Sequence, residues 1–307
     1  MSESSPRERF AQAQERLLAE YDRDITSEFA EIGTPVETVH YLHTEGDGRP
    51  VVMLPGVASP AALFVPLLAA VDDIGPMYAL ERPGRGLSDP YYHSKGDVRP
   101  FTVELLDGFL EAIEADSVDI IASSFGGFQA FAYALDRRSK VERISFVGSP
   151  AGLSKSLPVP FRLLGVKVIN RLMFRLVAPE SIEDVRDSMA TMNVEDPADL
   201  SDELLEVILR NGQIPEHAKS LKTLFETTAG LRGVSEYMLV RDELDRLELP
   251  MQFLWGSEDY FYEPTVGEDL LGHRDNVEFE ELEGLGHTPW LEPENEVASG
   301  IESFLGD

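Results

Sequence analysis

The sequence predicts an α/β fold: a mostly parallel sheet flanked by helices, with a block of helices inserted late in the chain. Three observations carry this. Short apolar runs of strand length alternate with helix-length segments between about residues 51 and 148. The alternation stops near 152, and the pattern stays helical to about 246, punctuated by Pro158, Pro160, Pro179, Pro197 and Pro215. It then resumes to the end of the chain. Alternating strands and helices imply parallel pairing with both sheet faces covered. The late block is therefore an insertion between two strands of one sheet. The predicted organisation is a core of residues 1–151 and 247–307 with a helical cap over 152–246.

Taken in order, residues 6–24 read as an amphipathic helix, with Phe10, Ala13, Leu17 and Tyr21 recurring on one side. Strand-like segments near 27–32 and 36–44, parted by Gly33-Thr34-Pro35, predict a hairpin. Val51 to Leu54 predicts a strand, 60–71 a helix, and 76–81 a strand. A helix at 101–115, a strand at 117–122, a helix over 125–135 and a strand at 141–148 follow. After the helical block come a strand from Leu249 to Trp255, a helix near 264–271, a strand at 276–282 and a closing helix at 293–305. Within the block, Pro158 to Pro179 is apolar and basic, with Arg162, Lys167, Arg171 and Arg175 and no acidic residue. The simpler assignment is a cap helix whose Leu163, Leu164, Val168, Leu172 and Met173 roof a pocket. The alternative is an interfacial lid that meets lipid or an anionic substrate group.

Composition narrows the partners. The 307 residues carry 56 acidic and 26 basic side chains, a formal net charge of −30. Such a field repels nucleic acid and anionic membranes, and its scattered distribution describes a solvated surface. A small molecule is the expected partner, and no signal specifies an oligomeric state. The chain has no cysteine, which removes disulfides and thiolate catalysis. Met1 to Asp24 is charged throughout, without the apolar core of a signal peptide. No uncharged apolar run approaches the roughly 20 residues of a membrane span. The expected location is cytoplasmic, without stable membrane insertion.

The chemistry centres on Ala122-Ser123-Ser124-Phe125-Gly126-Gly127, directly after the apolar run Val118 to Ile121. This reads as a buried strand turning sharply into a helix, with a serine at the bend. Two serines compete, and sterics choose between them. A nucleophile at such an apex needs small residues two before and two after. Ser124 has Ala122 and Gly126; Ser123 has Ile121 and Phe125. Ser124 is the candidate.

A serine hydroxyl needs a base, and the base needs a carboxylate to hold it. Of the six histidines, His40 and His43 lie on an early strand, His93 follows a glycine loop, His217 lies in the cap and His273 follows a helix. His287 sits in a flexible loop, Glu283-Gly284-Leu285-Gly286-His287-Thr288-Pro289-Trp290, just after the last strand. That loop emerges at the carboxyl edge of the sheet, where open parallel sheets carry their sites. By the same argument the acid follows the preceding strand, in Trp255-Gly256-Ser257-Glu258-Asp259-Tyr260, as Glu258 or Asp259.

This order of serine, acid and histidine on an alternating sheet resembles the α/β-hydrolase superfamily, in its capped epoxide-hydrolase-like and meta-cleavage-hydrolase-like branch. Leu54-Pro55-Gly56-Val57, Glu81-Arg82-Pro83-Gly84-Arg85-Gly86-Leu87-Ser88, the Ser124 bend, Gly256-Ser257-Glu258-Asp259 and Gly286-His287 carry the likeness, which extends from about residue 27. The resemblance implies Asp259, three after the glycine, as the acid. It also implies the backbone amides of Val57 and Phe125 as the oxyanion hole, with no metal or organic cofactor. Two positions depart from the family: Pro55-Gly56 stands where His-Gly is usual, and Ala122 where glycine is usual. Epoxide hydrolases and haloalkane dehalogenases carry aspartate at the bend, so a serine implies acyl transfer to water. An ester-like substrate is the expectation. Carbon–carbon hydrolysis of a dienoic diketone, cofactor-free peroxidation, and ligand binding with negligible turnover are the rivals. The 81–88 loop reads as a structural turn, because no Lys-Ser/Thr follows as a phosphate loop requires.

Dense acidic charge is tolerable where salt screens it within a few Å, which points to a salt-rich cytosol. The melting temperature is expected to rise with KCl from low to molar concentration; a melting temperature independent of salt contradicts that assignment.

Overall fold

Four consecutive apolar residues, Val51–Leu54, are all buried and form the strand about which the sheet is organised. The computed structural model describes residues 4–176, 179–192, 197–291 and 296–306. In chain order the strands are β1 (Thr26–Glu31), β2 (Thr38–Thr44), β3 (Val51–Leu54), β4 (Met77–Leu80), β5 (Val118–Ala122), β6 (Val141–Val147), the short pair β7 (Ala229–Gly230) and β8 (Gly233–Val234), β9 (Met251–Gly256) and β10 (Val277–Leu282). The α-helices are α1 (Pro6–Leu18), α2 (Val65–Ala70), α3 (Val98–Ala112), α4 (Phe125–Asp136), α5 (Val159–Leu164), α6 (Lys167–Leu176), α7 (Ile182–Thr191), α8 (Asp202–Gly212), α9 (Pro215–Thr228), α10 (Thr265–Leu271) and α11 (Val297–Leu305).

Eight strands form one sheet in the order β1-β2-β4-β3-β5-β6-β9-β10. The β1–β2 and β2–β4 pairs are antiparallel, and the remaining pairs are parallel. From β3 the chain runs outward to β4 and then returns to the other side of β3 as β5. Strand order thus reverses at β3, the kind of crevice where open α/β sheets bind ligands. Side chains alternate across the pleat and feed two cores. Val52, Leu54, Ile120 and Ala122 face Phe101, Phe109, Phe128 and Phe131 of α3 and α4. Val51, Met53 and Ile121 face Phe10 and Leu17 of α1, Leu68 of α2 and Ile301 of α11. Burying each large apolar side chain contributes about 1.5–3 kcal/mol. The β10 edge carries Glu278, Glu280 and Glu281, charges that discourage edge-to-edge pairing.

Several expected boundaries move. The first helix stops at Leu18, because the apolar face ends there and Asp22-Arg23-Asp24 offers nothing to bury; Tyr21 lies beyond it. The segment at 60–71 divides into a 3₁₀ turn, Ala61–Phe64, and α2, with Pro66 in the first turn where its missing N–H costs nothing. Residues 293–295 of the expected closing helix lie outside the described residues, and α11 occupies Val297–Leu305.

Among the described residues, the segment between β6 and β9 holds five α-helices and, against expectation, the β7–β8 ladder. Two residues per strand are too few to show alternation in a sequence, and Gly230 with Gly233 (φ +101°) makes the tight reversal. Within it, α6 turns Asn170 inward while Val168 and Leu172 face solvent, at 79% and 57% exposure. These two residues therefore do not roof a pocket, as the sequence suggested. Of the basic residues of α6, Lys167 lies 3.9 Å from Glu226 of α9, while Arg171 and Arg175 are exposed. α8 is tied to the core by Arg16–Glu206 (2.7 Å).

The end of the sheet away from the site holds a buried charge. Asp119 on β5 is fully buried and paired with Arg143 (2.9 Å) and Arg49 (3.2 Å). Arg143 also donates to the carbonyls of Phe304 and Leu305, both at 2.9 Å, closing the chain terminus onto the sheet. Asp119→Ala is expected to lose about 3–5 kcal/mol, because it strands Arg143 without its counter-charge; urea denaturation measures the loss.

Candidate active site

Ser124 stands between β5 and α4 with φ +53° and ψ −116°. This conformation is strained for a residue with a Cβ. Its neighbours hold it: Ser123 N–H donates to Leu54 O (3.0 Å), and the amides of Ala151 and Gly127 donate to Ser124 O (2.8 and 2.9 Å). A Cβ on Gly126 would lie 2.0 Å from Leu54 O, so the strand–helix approach demands glycine there. Ser123 is 2% exposed, whereas Ser124 is partly exposed and lines a cavity.

The next two strands supply a carboxylate and its supports. Asp259, after β9, is buried, and the adjacent Glu258 is exposed. Four donors converge on Asp259: His287 Nδ1 (2.9 Å), Ser149 N–H (2.9 Å), Ser149 Oγ (3.0 Å) and Phe261 N–H (2.9 Å). Burial raises the pKa of Asp259; the charge and hydrogen bond of His287, with the Phe261 and Ser149 amides, outweigh it and hold the carboxyl below its ordinary value. An ionised carboxylate only accepts, so Nδ1 carries a proton directed at Asp259. The His287 loop is pressed onto the end of β6, where a Cβ on Gly148 would lie 2.3 Å from His287 O. Trp290 Nε1 pins the loop to Leu63 O (3.0 Å), and the Phe261 ring packs 4.3 Å from the imidazole.

The structure therefore joins Asp259 to His287 directly and brings Ser124 to the same locality. Ser149, whose Oγ also lies 3.2 Å from His287 Nδ1, lines the cavity with Ser124. Among the described residues no hydrogen bond links the His287 ring to Ser124. Sequence reasoning missed Ser149. Only its place at the end of β6, the strand beside β9, marks it.

Val57 and Phe125 border the same cavity. Neither amide donates in any described hydrogen bond, and Phe125, first in α4, has no intrahelical acceptor for its N–H. Gly56 brings the preceding loop against Ser124, whose Cβ lies 3.5 Å from the site a Gly56 Cβ would occupy. Two further residues shape this rim. Arg82 Nη2 donates to Val57 O (2.6 Å), and its guanidinium lies 5.6 Å from the Phe125 ring centre. Asn211 on α8 donates to Ala58 O (3.1 Å) and accepts from Gly86 N–H (3.1 Å).

The cavity measures about 80 Å³, and its lining is apolar apart from hydroxyls: Leu157, Phe161, Phe225 and Met238 stand with Ser154 and Thr228. Three other histidines are bound up in contacts away from this cavity. His40 bonds Ser27 (2.8 Å), His43 stacks on Tyr78, and His93 pairs with Asp97 (3.1 Å). Among the described residues no group of three or more His, Asp or Glu side chains could hold a metal ion, and no helix is long and apolar enough to cross a membrane.

Comparison with known proteins accords with this arrangement. A family model described as the alpha/beta hydrolase family matches residues 51–299. The chain is 28% identical over 289 residues to 2-hydroxy-6-oxononadienedioate/2-hydroxy-6-oxononatrienedioate hydrolase 1 of Dechloromonas aromatica, covering 94% of this chain and 93% of that protein. Among solved structures, carboxylesterase CesB of Bacillus subtilis superposes with a TM-score of 0.77 at 16% identity, over 98% of both chains. The 2-hydroxy-6-oxo-6-phenylhexa-2,4-dienoate hydrolase of Rhodococcus sp. strain RHA1 gives a TM-score of 0.73 at 20% identity, over 91% of this chain and 98% of that one.

The lowered Asp259 pKa fixes a pH window. Its stabilising contribution is complete above the unfolded carboxyl value near 4 and disappears as pH falls through the lower folded value. Asp259→Asn is expected to be less stable than the parent by about 1–3 kcal/mol at pH 7, with the gap closing below about pH 4. Urea melts of both proteins across that range measure it.

Proposed function

The chain belongs to the alpha/beta hydrolase family, and from that premise we propose that it is a serine hydrolase cleaving an ester-like acyl bond of a small, largely apolar substrate. The observation that carries this reading is the buried Asp259–His287 pair, braced by Ser149 on the rim of the cavity that Ser124 lines.

In this reading Ser124 Oγ attacks the acyl carbon and His287 Nε2 takes its proton. The two must first close to hydrogen-bond distance, a tightening common when substrate enters. Asp259 keeps the proton on Nδ1 and stabilises the imidazolium, without itself being protonated. Ser149 fixes both partners. The Val57 and Phe125 amides take the developing oxyanion, each such donor contributing about 3–4 kcal/mol. Collapse expels the alcohol, which receives the proton from His287. Water, deprotonated by the same imidazole, then releases the acid.

Residues 152–246 act as the cap, with Leu157, Phe161 and Phe225 closing the cavity from above.

A second reading, carbon–carbon hydrolysis, is favoured by the relative from Dechloromonas aromatica, whose name specifies a dioate. The cavity beside Ser124 offers such a substrate hydroxyls and apolar groups but no charged side chain, and an unpaired buried carboxylate is costly. That favours an ester near the scissile bond.

A spectrophotometric screen of short 4-nitrophenyl esters against dienoic diketones separates the two. Ester turnover is expected to fall about 10⁴-fold or more in Ser124→Ala and about 10- to 100-fold in kcat for Ser149→Ala. Turnover of diketones alone would transfer the assignment to the second reading, and turnover unaffected by Ser124→Ala would remove both.

A further inference from the structure

Behind the oxyanion loop lies a cluster of buried cations without enough acceptors. Arg82 and Arg85, in the loop after β4, are 1% and 2% exposed. Arg82 spends Nη2 on Val57 O and Nη1 on Pro83 O (3.3 Å), leaving Nε without a partner. Arg85 makes no side-chain hydrogen bond among the described residues, and both Nε and Nη2 are buried and unpartnered. Two buried groups of α9 join them. Ser220 Oγ is unpartnered and sits against Gly84, where a Cβ would approach within 2.1 Å. His217 bonds Asn211 O through Nδ1 (2.9 Å) and leaves Nε2 free.

The charge count does not close. Arg82 acts on Arg85, and both act on His217, to which Arg7 adds a third positive charge. Glu81 is the single carboxylate that acts on both arginines. Its Oε1 accepts from Ala61 N–H (2.9 Å), while its Oε2 is buried without a hydrogen-bond partner, 3.6 Å from His40 Nδ1. Burial, and then Arg82, push the Arg85 pKa well below its ordinary value against the pull of Glu81. Burial also lowers His217, to about 3, so its imidazole is neutral and adds no further positive charge. The guanidiniums of Arg7, Arg82 and Arg85 outnumber the Glu81 carboxylate, in a chain whose net charge is −30. A desolvated ion without acceptors is among the most costly arrangements in a protein.

We infer that Arg85, with Ser220 and Arg82, forms a buried subsite for one small monoanion of carboxylate type. Nε and Nη2 are the edge of a guanidinium that grips a carboxylate with two parallel hydrogen bonds. Ser220 Oγ supplies a further donor, and Arg82 Nε another. The subsite adjoins the catalytic cavity through Arg82, which holds Val57 O and lies over Phe125, and through α9, whose Phe225 lines that cavity. The anion has two sources: a free ion, or a carboxylate at the far end of the substrate. The subsite stands without the Ser124 reading; the substrate source rests on it.

Both sources are tested on the full chain. First, sodium formate replaces sodium 2-(N-morpholino)ethanesulfonate, an anion too bulky for the subsite, at constant ionic strength. The melting temperature of the parent protein is expected to rise saturably, with the rise lost in Arg85→Met and weakened in Ser220→Ala. Second, kcat/KM is compared for 4-nitrophenyl butyrate and mono-4-nitrophenyl succinate, which differ by a terminal carboxylate. If the substrate supplies the anion, Arg85→Met lowers the succinate value at least tenfold more than the butyrate value, and formate competes with the succinate ester in the parent protein. A formate-dependent rise without that selectivity assigns the subsite to a free ion. Absence of both a formate effect and a carboxylate preference in the parent protein overturns the inference, whether or not the variants fold. If no ester is turned over while formate still stabilises, the Ser124 reading fails and the subsite stands.

Discussion

The site depends on a carboxylate taken out of water. Asp259 is buried at the carboxyl edge of the sheet, where an ion survives only if its lone pairs are met. Ser149 meets them from the end of β6, Phe261 from its own turn and His287 from the last loop. Three separate stretches of chain are thereby fixed to one another. The geometry of the imidazole follows from this. Its Nδ1 is occupied, its Nε2 is directed away from the carboxylate, and its ring is packed on Phe261. The strained turn at Ser124 belongs to the same economy of space. With β5 and α4 passing so close to Leu54 O that Gly126 has no room for a Cβ, the serine is lifted to the cavity rim.

Much of this was legible in the chain because each feature leaves a local mark. Strands buried on both faces appear as apolar runs, continuous at Val51–Leu54 and broken only by the paired Asp119 at Val118–Ala122. The bend at Ser124 could be chosen over Ser123 from neighbour size alone, since the steric demand is local. The order of Asp259 and His287 follows from a parallel sheet, whose loops emerge on one edge; choosing Asp259 over Glu258 needed the family resemblance. Ser149 left no such mark, because Gly148-Ser149-Pro150 reads as an ordinary turn and its role exists only once β6 lies beside β9. The β7–β8 ladder is too short for periodicity. Val168 and Leu172 were misjudged for a related reason: an amphipathic helix shows that it has two faces, and packing against α9 decides which one turns inward.

Electrostatics divide the molecule in the same way. Many arginines are matched at the surface, as Arg99 is with Asp136 and Glu243, and Arg137 with Asp107. Exposed pairs of this kind contribute little individually. The guanidiniums in the loop after β4 differ in being buried and under-supplied with acceptors, directly behind the residues that border Ser124. Arg82 is the link between the two regions, since one of its amino groups fixes the Val57 peptide while its Nε is buried without a partner.

Reaction of the native protein with a fluorophosphonate, followed by peptide mass mapping, tests most directly whether Ser124, His287 and Asp259 act as one unit. A single adduct on Ser124 is expected, lost on unfolding and strongly reduced in His287→Ala. No adduct in the folded protein, or an adduct on Ser124 that forms equally well without His287, would contradict a shared catalytic role for the three residues.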